Sequence, residues 1–480
     1  MAVWKDLMYG DREGVVGLKT RRGLIILGLA AALTAGGAAT VYGAGWQQTS
    51  NGAWEYYSAS GNRETDVWRK GADGLWRYVD GGGYMAVNEW IDDTYYVDEN
   101  GIMASGTWKQ MESASSYHNG TVWYYFNNDG KRVEETWKKI NNKWYYFDED
   151  GVMLTGWLLD DMYYTDANGA MVTGWQRLAP PEDSYDEDNY YGEAKNEPVE
   201  NQNEDGKYWY YFGTNGKKVV PGDMNGSDYQ EKKINGAYYC FDANGQMQTG
   251  WCNVKGDSSI DSYKYYDEKG QAVVNTWLSL EAPEEFDEYG EVQWYYFSSN
   301  GTPKTGPESG QAAARDLVRI KGLTFLFNDK GNPVYGLQKV AANNDSDDYT
   351  AYYFGVDKMH CAMLTGKQEV EEGDGFVSEY FFLDSGKGYT GVRDGKLYYM
   401  GKLQMADSGM KYMPITLTTG SSSKNYLVNS NGRTVKNTTV RDAEGTKYKT
   451  GSNGIILKVN DEDVGGETFN SPVEPVWWGQ

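Results

Sequence analysis

The stretch KWYYFDEDGVMLTGW, residues 143–157, places two tryptophans, two tyrosines and a phenylalanine around one acidic turn that ends in glycine. Read outward from it, the chain divides itself from tryptophan to tryptophan. WIDDTYYVDENGIMASGTW runs from Trp90 to Trp108, WKKINNKWYYFDEDGVMLTGW from Trp137 to Trp157, and WLLDDMYYTDANGAMVTGW from Trp157 to Trp175. INGAYYCFDANGQMQTGW closes on Trp251, and WCNVKGDSSIDSYKYYDEKGQAVVNTW spans Trp251 to Trp277. Repeats of a few tens of residues mark a stacked array rather than one globular core. Each unit reads as a short aromatic strand, a turn ending in Gly, and a second short strand carrying Met or Val, which is a β-hairpin. A lone hairpin is marginal in water, so each must bury its rings against its neighbours. The expected fold is all-β, a solenoid of stacked β-hairpin repeats.

Composition agrees. The 480 residues include 41 Tyr, 18 Trp and 60 Gly but only 13 Phe and 11 Pro. The apolar material is in rings rather than in runs of Leu, Ile and Val, which suits thin, locally packed units. A net charge of −24 excludes nucleic acid as a partner, since phosphate binding needs a basic surface. A cationic ligand, or a neutral one held by stacking, is compatible with it. The three cysteines, Cys240, Cys252 and Cys361, are too few and too scattered for a disulfide scaffold or a zinc site. One bridge is possible, and at least one thiol is left over.

Residues 1–43 are expected to be an export leader. Arg21 and Arg22 precede GLIILGLAAALTAGGAATV, and small residues near Gly43 and Ala44 offer a cleavage site. A retained membrane anchor is the alternative, because the apolar stretch is nearly long enough to span. Well-formed repeats are assigned to 44–306, interrupted by acidic insertions at 178–207 and 280–291 that read as solvated loops. Residues 307–459 keep the hairpin aromatics and glycines but lose the closing tryptophan, and 460–480 reads as a tail.

At WYYFDEDGVMLTGW the phrase resembles the cell-wall-binding repeats of Gram-positive surface proteins, the choline-binding type, and the related glucan-binding repeats. The resemblance implies hairpins packed as a left-handed solenoid, with ligands held between neighbours in aromatic cages. It implies cell-wall choline or a glycan as partner, without deciding between them.

Residue types that carry reactions are sparse. His118 lies in a polar loop and His360 in the degenerate region, with no His-Glu metal motif beside either. Cys361 and His360 are strand neighbours and so point to opposite faces, which disfavours a dyad. Neither a G-x-S-x-G elbow nor a P-loop is present, and GKGYTG (386–391) matches G-x-G-x-x-G only as a turn of the repeat. The Asp-rich turns at 98–101, 148–151, 166–169 and 242–245 read as turn chemistry rather than calcium loops. The expectation is therefore a non-catalytic protein without cofactor or metal. The alternative is a structural or adhesive array engaging a host or partner protein, its rings serving only as core.

The rings and methionines expected to line grooves are Trp137, Trp144 and Met153 of one unit with Trp157 and Tyr164 of the next. Equivalent sets are expected around Trp157, Met171 and Trp175, and around Tyr239, Met247 and Trp251. Ring faces attract a quaternary ammonium without needing a hydrogen bond from it, and sugars could stack on the same surfaces.

Overall fold

In the computed structural model the described residues are 43–113, 116–181, 206–222, 227, 229–286, 291–307, 311–342 and 348–477. Residues 1–42 of the expected leader and 182–205 of the 178–207 insertion lie outside them. The structure is all-β, 45% strand and 2% helical. It forms two compact units divided between Val172 and Thr173. The division does not fall near residue 306, where the tryptophan pattern frays, because hairpins continue through that point.

The hairpins are real, but their turns are not where the sequence placed them. Thr136–Ile140 pairs antiparallel with Lys143–Phe147, Trp137 opposite Tyr146 and Thr136 opposite Phe147. The connection is therefore Asn141-Asn142, both with positive φ (48° and 66°). Two consecutive left-handed residues make the tight turn whose twist matches the strands. Asp92-Asp93 and Asn235-Gly236 take the same conformation. The DEDG segment instead follows the hairpin and leads to a single bridge, Phe147 with Met153. What reads as a second strand carrying Met is one bridging residue.

That residue does the stacking. The Met85 N–H donates to the Trp54 carbonyl, Met103 to Trp76, Arg132 to Thr94, Met153 to Trp123 and Met171 to Trp144, all at 2.7–2.9 Å. Each hairpin thus hangs by a backbone hydrogen bond from the strand before it. In the second unit Ala272 to Tyr238 and Met363 to Thr324 repeat the link. The last residue of most aromatic strands points inward: Val79, Val97, Phe126, Phe147, Phe212, Phe241 and Phe297 are fully buried. Successive hairpins stack these side chains into the core.

The acidic turns are built from their own backbone. Asp148 Oδ1 accepts the Val152 N–H at 2.8 Å, and Asp98, Asp166, Asp242 and Asp267 each take the amide four residues on in the same way. The carboxylates staple turns, as turn chemistry requires. Gly169 (φ 77°) closes one such turn, and a Cβ there would lie 2.3 Å from the Met153 sulfur. Gly270 stands in the same relation to Met247, at 2.4 Å. Glycine is needed here for its backbone angle and because the preceding methionine packs on it.

Beyond residue 366 the sheets grow. Gly366–Glu371 and Val377–Phe382 open a five-stranded sheet, and Tyr412–Thr419 pairs with Ser422–Asn429 over eight residues. The segment expected as a tail is docked over its described part. Asn470 forms a parallel bridge to Ile415, Val473 exchanges hydrogen bonds with the Gln404 amide, and the Val476 carbonyl accepts from Gly373. Trp477 packs beside the Leu337, Tyr353 and Tyr380 cluster.

Candidate ligand-binding site: ring-lined junctions between hairpins

Strand alternation sorts the aromatic phrase. In Thr121–Phe126, Tyr124 and Phe126 are buried while Trp123 is 40% exposed, with Tyr125 on its side of the strand. Across the hairpin Trp108 stands opposite Tyr125 and meets it edge-on at 5.1 Å. Trp108 also meets Trp123 at 6.2 Å with planes at 88°. From the following hairpin Tyr145 reaches back to Trp108, 5.0 Å away. Three rings from two hairpins converge: a first-strand Trp, the Trp that opens the second strand, and a Tyr of the next hairpin. Met153 packs with Trp108, Tyr125 and Tyr145 against the Val133, Ile140 and Phe147 core.

The arrangement recurs. Trp137 meets Tyr163 of the next hairpin at 5.4 Å, with Trp144 opening the second strand and 41% exposed. Trp68 meets Tyr95 at 5.4 Å beside Trp76, 40% exposed. Trp175 meets Trp209 at 6.3 Å and Tyr239 at 4.7 Å, and Trp209 is 42% exposed. Trp277 with Trp294 and Phe325 (5.1 Å from Trp277) is a further variant. An indole left some two-fifths open, as Trp76, Trp123, Trp144 and Trp209 are, is not filling a core. At Trp123 and Trp209 edge contacts from Trp108 and Trp175 hold the indole in place.

Not every junction is ring-lined. Between Gln230–Ile234/Ala237–Phe241 and the next hairpin, Glu231 occupies the first-strand tryptophan position and Lys264 that of the incoming tyrosine. Lys264 Nζ donates to both Glu231 oxygens at 2.8 and 2.7 Å and lies over the Tyr238 ring, 5.3 Å from its centroid. The Tyr266 hydroxyl adds a third bond to the same carboxylate at 2.9 Å. The fold itself thus seats an ammonium where other junctions present rings. At Gly366–Glu371/Val377–Phe382 the corresponding side chains are Lys367, Glu379 and Lys396, both ammonium groups within 2.8 Å of the carboxylate. Burial acts to raise the Glu379 carboxyl, yet the hydrogen bonds from Lys367, Lys396 and Tyr398 outweigh it and hold it at about 2.

Of the groups expected from the sequence, Trp137 and Trp144 share a junction, but its third ring is Tyr163. Tyr164 instead faces its own Trp157 at 5.2 Å. The correction is one residue along a strand, which changes the face. Met153 and Met247 sit on the glycines of the next turn, and Met171 forms the bridge to Thr165 and the bond to Trp144. Tyr239 belongs with Trp175 and Trp209, not with Trp251, whose ring meets Tyr265 and Tyr295. The sequence reading missed Trp68, Trp76, Tyr95, Trp108, Trp123, Tyr145, Tyr163 and Trp209. The W-x-Y-x phrase marks most of them, but Trp209 is separated from its partner Trp175 by the acidic insertion.

The histidines stand apart from these slots. His118 Nε2 is 2.6 Å from Asp148 Oδ2, and His360 is bonded to Asp357 at 3.0 Å. Cys361 is buried with Ile320, Phe325 and Phe327, whereas the adjacent His360 is exposed, and neither residue lies in a strand.

Models of the choline-binding repeat match residues 133–175 and 231–277, and a cell wall binding repeat model matches 118–131. Over these stretches the chain carries repeats of the choline-binding, cell-wall-binding kind. Solved structures with similar hairpins come from Streptococcus pneumoniae. The modular autolysin LytC, solved with a synthetic peptidoglycan ligand, is 20% identical over 61% of this chain and 52% of its own, with a TM-score of 0.37. CbpJ is 21% identical over 67% and 100%, with a TM-score of 0.37. Choline binding protein F, solved with a peptidoglycan analogue, is 23% identical over 67% and 98%, with a TM-score of 0.31. The chain spans about half the length of LytC. No curated protein sequence matches it.

Proposed function

We propose that this chain binds choline groups of the cell wall in its ring-lined junctions and is thereby held non-covalently at the surface. One observation carries the reading. Junctions built on Trp68, Trp108, Trp137 and Trp175 leave an indole of their slot 40–42% exposed, and the homologous positions at Glu231, Tyr238 and Lys264 hold an ammonium over a ring. A slot that accommodates a lysine ammonium in one repeat has the shape and potential for a quaternary ammonium in another. Ring faces supply the attraction at about 0.5–2 kcal/mol per contact, and the ligand forfeits no hydrogen bond on entry. The negative net charge attracts the cation over a longer range, an effect salt weakens.

The repeat-model matches support choline over a neutral sugar. On this reading the chain is a binding protein without a reaction of its own. It reaches the wall by export on the leader at residues 1–43. Calorimetric titration with choline, repeated on the variant Trp123→Leu/Trp144→Leu/Trp209→Leu, tests the reading. The parent should bind several choline molecules and the folded variant fewer. Equal stoichiometry in both would show that these rings are only core, and saturation by glucan but not by choline would show a glycan binder.

A further inference from the structure

The three cysteines divide into a pair and a single. Cys361 lies in a cluster with Ile320, Phe325 and Phe327. Cys240 and Cys252 lie together in another, fully buried against Tyr266, with Ala272 and Val254 closing round them. They come from successive hairpins. Cys240 is on Ala237–Phe241, in register with Glu231, and Cys252 is on Gly250–Asn253, in register with Lys264. Both thiols belong to one buried cluster, and burial, followed by the neighbouring Cys252, pushes the Cys240 thiol well above its usual range. The residues registered opposite these cysteines, Glu231 and Lys264, join the two hairpins by an ion pair. The junction is thus already fastened beside them.

We propose that Cys240 and Cys252 form an intrachain disulfide when the chain folds in oxidising surroundings, tying the two hairpins of the charge-filled junction. The step balances with an ordinary small-molecule disulfide as oxidant. One cysteine thiolate attacks glutathione disulfide and expels a glutathione thiolate. The second then attacks the mixed disulfide and expels the other. Two protein thiols are oxidised to one S–S bond, one glutathione disulfide is reduced to two glutathiones, and the cysteine protons pass to the departing thiolates. A bridge brings the two sulfurs to about 2 Å, and both already lie in the same buried cluster. Folded, both thiols are shut from solvent, so exchange belongs to folding, before the second hairpin closes on the first. Hydrophobic packing alone would explain two small buried residues. A pair of cysteines from successive hairpins in one buried cluster, opposite an ion pair that joins those hairpins, is the feature packing does not require.

The test is a thiol count on the full chain, synthesised cell-free in a glutathione/glutathione disulfide buffer and then unfolded in denaturant with a maleimide. One reactive thiol per chain is expected, with a peptide map under non-reducing conditions joining Cys240 to Cys252. The variant Cys361→Ala should then show none, and Cys240→Ala two. Three thiols in the folded parent, a bridge that includes Cys361, or glutathione retained on Cys240 or Cys252 would each overturn the proposal. Because the decisive number comes from the parent, it does not depend on either variant folding.

Discussion

The junction at Trp108, Trp123 and Tyr145 and the junction at Lys367, Glu379 and Lys396 use homologous positions on the same hairpin frame for opposite ends. The first leaves a ring wall open to solvent. The second brings two ammonium groups onto one carboxylate. Glu231, Tyr238 and Lys264 stand between the two, part ring and part ion pair. The backbone scaffold of bridge, turn and inter-hairpin hydrogen bond is common to all three. The hairpin frame therefore fixes three convergent side-chain positions, and the residues placed there decide whether the slot waits for a cation or already contains one.

The largest effect expected from breaking this contrast is on ligand binding. Replacing Trp144 with Leu removes the exposed wall of one slot while leaving Phe147 and Tyr145 in the core. Each lost ring contact is worth about 0.5–2 kcal/mol, so affinity at that slot should fall about 2–30-fold. With Trp76, Trp123 and Trp209 also replaced, retention on choline-bearing wall should be lost at an unchanged melting midpoint. A sedimentation assay with purified wall, paired with a thermal melt, reads both. Retention that survives all four replacements would show that the exposed indoles do not hold the ligand.

The next effect is on the frame. Gly169→Val forces a β-branched residue to φ 77° and drives its Cβ into the Met153 sulfur. Strain and overpacking of this kind add to about 2–4 kcal/mol. Gly156→Ala, at φ 88° but with open space around its missing Cβ, should cost about 1 kcal/mol. Denaturant melts of the two variants, compared with the parent, check the order. Equal losses would mean that the methionine contact contributes nothing.

A smaller change should convert one kind of junction into the other. Lys264→Met leaves the Glu231 carboxylate with only the Tyr266 hydroxyl, at a cost of about 1–3 kcal/mol. Glu231→Trp/Lys264→Tyr instead restores the ring set around Tyr238 and should add one choline per chain in a calorimetric titration. If the double variant folds and the stoichiometry does not rise, three rings are not sufficient to make a slot.

How much of this the sequence carried depends on which physical signal each feature leaves. The repeat, the all-β class and the glycine turns were legible, because paired rings followed by a turn ending in glycine recur in most units. Which two strands form the hairpin was not. Asn141-Asn142 is an inconspicuous turn beside DEDG, and only pairing register reveals that it is the sharper one. The site was half legible. Trp137 and Trp144 are found from the phrase alone, but choosing Tyr163 over Tyr164 requires knowing which face looks back at the previous hairpin. Lys264 and Lys396 gave no hint at all, since a lysine in an aromatic strand reads as solvated until its carboxylate partner is placed.

The finest test of the charge-filled frame is its pH dependence, because two carboxyls in the second unit shift in opposite directions. Glu379 is held at about 2, below its ordinary 4.5, by the hydrogen bonds of Lys367, Lys396 and Tyr398 acting against burial. Its folded value is depressed, so its contribution is present above about pH 4.5 and is lost as pH falls towards 2. Asp242 is pushed up to about 6 from 3.8 by burial, against the amides of Gln246, Asn244 and Gly245 and the nearby Lys218. A raised carboxyl destabilises the fold where it must ionise, so this cost is present above about pH 6 and disappears as pH falls to 4. Melting midpoints should therefore respond in two separate windows. Asp242→Asn, which keeps an acceptor for the turn amides, should gain on the parent at pH 7 and lose that gain by pH 4. Glu379→Gln should sit below the parent at pH 5 and converge with it near pH 2. If the two variants instead track the parent in parallel from pH 7 to 2, the carboxylate in the lysine-filled junction is solvated like any surface acid, and the distinction between waiting and occupied slots would have to rest on ring geometry alone.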